Sequence, residues 1–163
     1  MKIIWDLDGV LRDLSGYTAQ VEGCPYPDKW DYLYKGKTIY ECIDANLNIL
    51  TQAKPTAYLK VLKTWDSSPE IWTNQPDDWK PRTLSWIKGN IGTSATVKFL
   101  TREQKEEHLK ADENKILIED CPKFVSFERI MLIDRPYNQE PKKVLRIFGP
   151  KHLANMIEIL RED

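Results

Sequence analysis

Short apolar runs recur along this chain, each closing on a polar residue, and that pattern predicts buried strands rather than long helices. The clearest runs lie at 2–5, 70–73, 115–118 and 130–133, with weaker candidates at 96–100 and 144–148. Stretches with helical spacing lie between or after them at 79–88, 103–110 and 152–160; in the last, Leu153, Met156, Ile157 and Leu160 fall on one face. Strands alternating with helices predict an α/β fold, a three-layer Rossmann-like parallel sheet with helices on both sides. In such sheets ligands sit beyond the carboxyl ends of the strands, where the strand order reverses. That rule gathers Asp6, Asp8, Thr73, Asn74, Glu119, Asp120 and Asp134 at one edge of the sheet.

The segment 14–66 breaks the rhythm, being too long for a loop and lacking a central strand run. Within it, 38–50 carries Ile39, Cys42, Ile43, Leu47 and Leu50, and 57–65 carries Leu59, Val61, Leu62 and Trp65, so two or more helices are expected. Its first half reads as loop but is aromatic, with Tyr17, Tyr26, Trp30, Tyr32 and Tyr34. The expected organisation is a core of residues 1–13 and 67–163 with a small helical cap, 14–66, inserted after the first strand.

At 163 residues the chain has the usual size of one domain. Its 24 basic and 25 acidic residues nearly cancel, so no basic field is available to hold duplex nucleic acid, although a single nucleotide is not excluded. Cys24, Cys42 and Cys121 form an odd, unevenly spaced set without a C-x-x-C pair, which argues against a disulfide framework or a zinc site and for reduced thiols. The first residues meet charge too soon for a signal-peptide core, and no apolar run is long enough to span a bilayer. A soluble, cytoplasmic protein without membrane contact is expected, of unspecified oligomeric state.

Chemistry concentrates in Asp6-Leu-Asp8-Gly9, two carboxylates where the first strand gives way to a loop. A turn after Asp6, helped by Gly9, splays them around one small volume, and crowded carboxylates call for a cation. Magnesium suits that demand, because it is held by one or two carboxylates together with substrate phosphate oxygens and water. The reading from the residues is metal-assisted phosphoryl chemistry. Taken alone such a turn is common in proteins, as are Thr73-Asn74 as a strand-end cap and Glu119-Asp120 as a solvated turn. Their order and spacing together carry the signal.

Asp-Leu-Asp-Gly-Val at 6–10, a strand ending in Thr73-Asn74, a downstream lysine and Ile-Leu-Ile-Glu-Asp at 116–120 resemble the four ordered motifs of the haloacid dehalogenase-like (HAD) hydrolases, over essentially the whole chain. Phe-Leu-Thr-Arg-Glu-Gln-Lys at 99–105 resembles the 5'(3')-deoxyribonucleotidases within that group, with one residue added before Lys105 and Glu119-Asp120 where that family has paired aspartates. The resemblance implies a magnesium-dependent phosphomonoesterase acting on deoxynucleoside monophosphates, a small phosphorylated substrate. It implies Asp6 as nucleophile and Asp8 as the acid and base at the leaving oxygen and the attacking water. Thr73 and Asn74 would bind phosphoryl oxygens, and Lys105 would supply positive charge, with Lys110 and Lys115 as competitors. Asp6, Asp120 and the Asp8 backbone carbonyl would hold Mg²⁺, with Glu119 either a ligand through water or a partner that orients the ligands. A nucleoside also needs a flat apolar partner, for which Trp30 and Tyr34 are candidates. The alternatives are a 3'-phosphatase acting on nucleic-acid ends and a non-catalytic module that binds a phosphorylated partner.

Overall fold

The computed structural model describes residues 1–162. Six strands, β1 (Lys2–Asp6), β2 (Glu70–Thr73), β3 (Thr96–Phe99), β4 (Lys115–Glu119), β5 (Ile130–Ile133) and β6 (Leu145–Ile147), pair in parallel in the order β3-β2-β1-β4-β5-β6. β1 therefore lies between β2 and β4, and the chain reverses its direction of travel across the sheet there. The carboxyl end of β1 is the place where such a sheet leaves a crevice.

Among the described residues seven α-helices complete the fold: α1 (Leu14–Glu22), α2 (Ile39–Ala45), α3 (Ile49–Gln52), α4 (Tyr58–Trp65), α5 (Lys80–Asn90), α6 (Arg102–Ala111) and α7 (Pro150–Glu162). Alternation along the strands sorts their side chains between two faces. Ile3, Trp5, Ile71, Ile116, Ile118, Met131 and Ile133 face a core that also takes Leu59 and Leu62 of α4, Trp86 and Ile87 of α5, and Leu153 and Ile157 of α7. Ile4, Trp72 and Leu117 face the other way, onto Leu109 of α6 and Phe124. The result is the three-layer architecture expected from the sequence. No helix among the described residues is long and apolar enough to cross a membrane.

The inserted segment differs in detail from its sequence reading. Its first half is not all loop, because α1 forms there, capped by the Asp13 side chain on the Gly16 amide and closed by Gly23 at φ 64°. Gly16 and a thin buried stripe of Leu14, Thr18 and Ala19, one of them polar, hide this helix from periodicity. The single apolar stretch at 38–50 divides into α2 and α3, since the Asn46 amide closes back onto the Cys42 and Ile43 carbonyls and ends the first helix. α4 packs with α7 on the sheet itself. The helices that stand over the sheet edge are α1, α2 and α3, whose Leu14, Ile43, Ile49 and Leu50 share a separate core with Ala53 and Trp79.

Candidate active site

The same alternation that builds the core aims the acidic residues. Asp6 follows Ile4 by two positions on β1, and Glu119 follows Leu117 by two on β4, so both point to the α6 side. α6 begins at the capping box of Thr101 and Gln104, and its buried stripe is Lys105 and Leu109, one helical turn apart. Leu109 enters the apolar layer, and Lys105 is carried to the strand ends. Its Nζ donates to Asp6 Oδ1 at 2.5 Å and to Glu119 Oε2 at 2.8 Å, in a pocket where all three side chains are at most 7% exposed. Lys110 is exposed, and Lys115 opens β4 at the opposite edge, paired with Asp112.

Asp6, Glu119 and Asp120 each offer a carboxylate oxygen within 4.8 Å of the others. Asp120 is held from behind: Tyr137 Oη donates to its Oδ2 at 2.5 Å, and Asn138 Nδ2 donates to its backbone carbonyl at 2.8 Å. Gly9 makes this crowding feasible. It sits at φ +83°, and a Cβ there would fall 1.8 Å from Asp120 Oδ2 and 2.8 Å from Tyr137 Oη. Arg135 fixes the turn by donating from Nε and Nη2 to the Gly9 carbonyl at 3.0 and 2.6 Å.

Burial first, and then the neighbouring Glu119, pushes the Asp6 carboxyl well above the usual carboxylate range, against the pull of Lys105. Burial, Glu119 and Asp6 do the same to Asp120, against the Tyr137 hydrogen bond. For Lys105, burial acts to lower its pKa, but Asp6 and Glu119 outweigh burial and raise it, so it stays an ammonium. Three carboxylates thus face one cation, and the upward shifts express burial first and then negative charge that Lys105 does not neutralise. A hard divalent ion with oxygen ligands fits this donor set of Asp6, Glu119 and Asp120, of which Asp6 and Glu119 also share the Lys105 ammonium.

Asp8 leaves this cluster. Its oxygens accept from Arg12 Nε at 2.6 Å, Arg12 Nη2 at 3.0 Å and Gln75 Nε2 at 2.7 Å. Asp6, Asp8, Thr73, Asn74, Lys105, Glu119 and Asp120 all border one cavity of about 380 Å³, whose far wall includes Trp30, Tyr34, Tyr40 and Trp79. Thr73 is buried and Asn74 exposed at its edge. Trp30 is 40% exposed and packs beside Tyr137 with ring centroids 5.8 Å apart; Tyr34 is buried, its hydroxyl donating to the Ser15 carbonyl at 3.4 Å. Asp134 is not part of the cavity wall, and pairs with Arg146 at 3.1 Å. Sequence reasoning misses Arg12, Gln75, Tyr137, Lys29 and Arg102, all of which hold the site residues or line the cavity. Only Arg12 has a local signal, standing four residues after Asp8.

No family model matches the chain. Over 104 residues it is 23% identical to an iron-sulfur cluster assembly SufBD family protein, ML0593, of Mycobacterium leprae; the match takes 63% of this chain and spans 11% of that relative's length. Two solved structures are similar over nearly their full lengths. A HAD family hydrolase from Deinococcus radiodurans R1, crystallised with phosphate and sodium, superposes with a TM-score of 0.61 at 11% identity, covering 98% of this chain and 96% of that one. A candidate beta-phosphoglucomutase from Thermotoga maritima gives 0.57 at 15% identity, covering 98% and 99%. Likeness at such identities is likeness of fold, and this chain has the α/β fold that the HAD-like hydrolases share.

Proposed function

We propose that the protein is a magnesium-dependent phosphomonoesterase working through an aspartyl-phosphate on Asp6, with deoxynucleoside monophosphates as its substrates. The observation that carries this reading is the Asp6 carboxylate at the floor of an aromatic-walled cavity, one oxygen held by Lys105 and Asp120 close by. With Oδ1 on the ammonium, Oδ2 is the oxygen that attacks phosphorus; the P–O bond to the ester oxygen breaks, and that oxygen takes a proton from Asp8. Water then attacks the phosphorus, giving a proton back to Asp8 and freeing the Asp6 carboxylate. Lys105 keeps Asp6 oriented and offsets charge on the phosphoryl oxygens, to which Thr73 and Asn74 also donate. Mg²⁺ held by Asp6, Asp120 and the Asp8 carbonyl would supply charge neutralisation of the phosphate. Trp30 and Tyr40 offer flat apolar surface to a base, with the buried Tyr34 and Trp79 behind them in the same wall, and closing over the base they would exclude water.

The test is phosphate release from 3'- and 5'-deoxy- and ribonucleotides, sugar phosphates and a 3'-phosphorylated oligonucleotide, with magnesium or chelator, for the parent chain and Asp6→Asn. Magnesium-dependent release from deoxynucleotides that vanishes in the variant is the expected result. Preference for the oligonucleotide would transfer the assignment to end repair, and no release from any compound would refute the reading.

A further inference from the structure

Arg12 has no part in the reaction outlined above, yet it is the most enclosed charged side chain near the site, with no exposed surface. Every edge of its guanidinium is engaged. Nε and Nη2 reach the two oxygens of Asp8, Nη1 donates to the Leu50 carbonyl at the start of α3 at 2.8 Å, Nη2 also reaches Thr83 Oγ1 of α5 at 3.3 Å, and the Trp86 ring lies 5.5 Å away. Thr83 in turn donates to Gln75 Oε1, and Gln75 donates to Asp8 Oδ2. Asp8 itself sits on a loop, and this frame ties its carboxylate to three separate parts of the fold.

Two parallel N–H···O bonds fix the plane of a carboxylate as well as its position, which a single point donor does not. A group that passes protons to and from a reacting oxygen depends on such placement, because proton transfer requires hydrogen-bond reach. A guanidinium needed only to pin α3 would be satisfied by the Leu50 carbonyl and would have no use for both Asp8 oxygens.

We propose that Arg12, assisted by Gln75, is the positioning residue for Asp8, holding its carboxyl where the leaving oxygen of the substrate takes up a proton. This rests on the phosphomonoesterase reading. It predicts that loosening the frame harms substrates in proportion to their need for that proton. A p-nitrophenolate leaves readily without one, whereas an alkoxide does not.

The experiment measures kcat/KM, which reports the steps through P–O cleavage, for p-nitrophenyl phosphate and for a deoxynucleoside 5'-monophosphate. The proteins are the parent chain, Asp6→Asn, Asp8→Asn, Arg12→Lys and Gln75→Leu. Arg12→Lys keeps the buried charge but loses the fork, and is expected to fall by about 30-fold or more on the alkyl ester and less than about fivefold on the aryl ester. Gln75→Leu should show the same selectivity with a smaller amplitude, and serves alone if Arg12→Lys does not fold. Equal losses on both esters would mean that the frame merely supports the fold, and no loss would mean that it has no role; either overturns the proposal while leaving the phosphomonoesterase reading intact. Absence of Asp6-dependent release by the parent chain would overturn both.

Discussion

Gly9 offers the sharpest perturbation, because the structure supplies both the cause and a control. A methyl group there meets two separate penalties. The backbone at φ +83° disfavours an L side chain by about 1–2 kcal/mol. The new Cβ would also lie 1.8 Å from Asp120 Oδ2 and 2.3 Å from its Cγ, distances that atoms do not tolerate. Asp120 cannot yield freely, since Tyr137 holds its carboxylate and Asn138 its carbonyl; turning it away leaves a buried phenol unpaired, at about 1–3 kcal/mol. The sum for Gly9→Ala is a loss of about 2–5 kcal/mol, which at a urea dependence of roughly 2 kcal/mol per molar moves the unfolding midpoint down by about 1–2.5 M. Gly36 has the same φ of +83° with nothing within 4 Å, so Gly36→Ala isolates the backbone part, about 1–2 kcal/mol. Because the displaced group is a proposed metal ligand, the magnesium concentration for half-maximal phosphate release should rise about 10- to 100-fold in Gly9→Ala and stay unchanged in Gly36→Ala. Urea unfolding followed by tryptophan fluorescence, with a magnesium titration of phosphate release, tests both parts. Equal midpoints for the two variants, or an unshifted magnesium requirement for Gly9→Ala, would refute the reasoning.

Two further substitutions probe the electrostatics. Lys105→Met removes the ammonium that faces three carboxylates and should destabilise the chelator-treated protein by about 3–5 kcal/mol, with millimolar magnesium restoring more stability to the variant than to the parent; a variant as stable as the parent in chelator would contradict the charge assignment. Glu70 lies at the opposite end of the sheet, where burial would raise its carboxyl but hydrogen bonds from Lys2, Lys98 and Trp72 outweigh that and hold it down to about 2. A lowered carboxylate stabilises the fold above its unfolded pKa, about 4.3, and loses that effect as the pH falls toward about 2. Glu70→Gln should therefore cost about 1–2 kcal/mol at neutral pH, less below pH 4, with phosphate release unaltered; a pH-independent difference in urea midpoints would show that the ion pairs are not its source.

The central strands β1, β2, β4 and β5 are legible in the sequence because each is largely buried on both faces, so its run of apolar residues is continuous and its end is marked by the first polar side chain, whereas the half-exposed edge strands β3 and β6 give weaker runs. That same marking exposes Asp6, Thr73, Glu119 and Asp120, which stand where those runs stop. Lys105 is less legible, since one buried lysine in a charged helix looks like its exposed neighbours until Leu109 is recognised as the other half of its stripe. Apart from Arg12, the residues that hold the site from behind leave no local trace. Tyr137 meets Asp120 across 17 positions, and Gln75 meets Asp8 across 67, contacts that exist only once the strands are ordered. α1 escapes for a different reason: its stability comes from its caps and from packing on α2 and α3, while its own apolar stripe is thin.

The parallel order of the sheet also governs when the site can exist. β1 must pair with strands that begin at Glu70 and Lys115, and the Asp6 to Lys105 contact closes a span of 99 positions. Loops of that length close late and slowly, because their entropy is lost before their contacts are gained. Among the described residues no hairpin or isolated helix pair brings Asp6 together with Glu119 and Asp120. Under the proposed function, phosphate release is consequently an all-or-none property of the assembled sheet, and its return after dilution from denaturant would report completion of the central strand pairing rather than collapse of the chain.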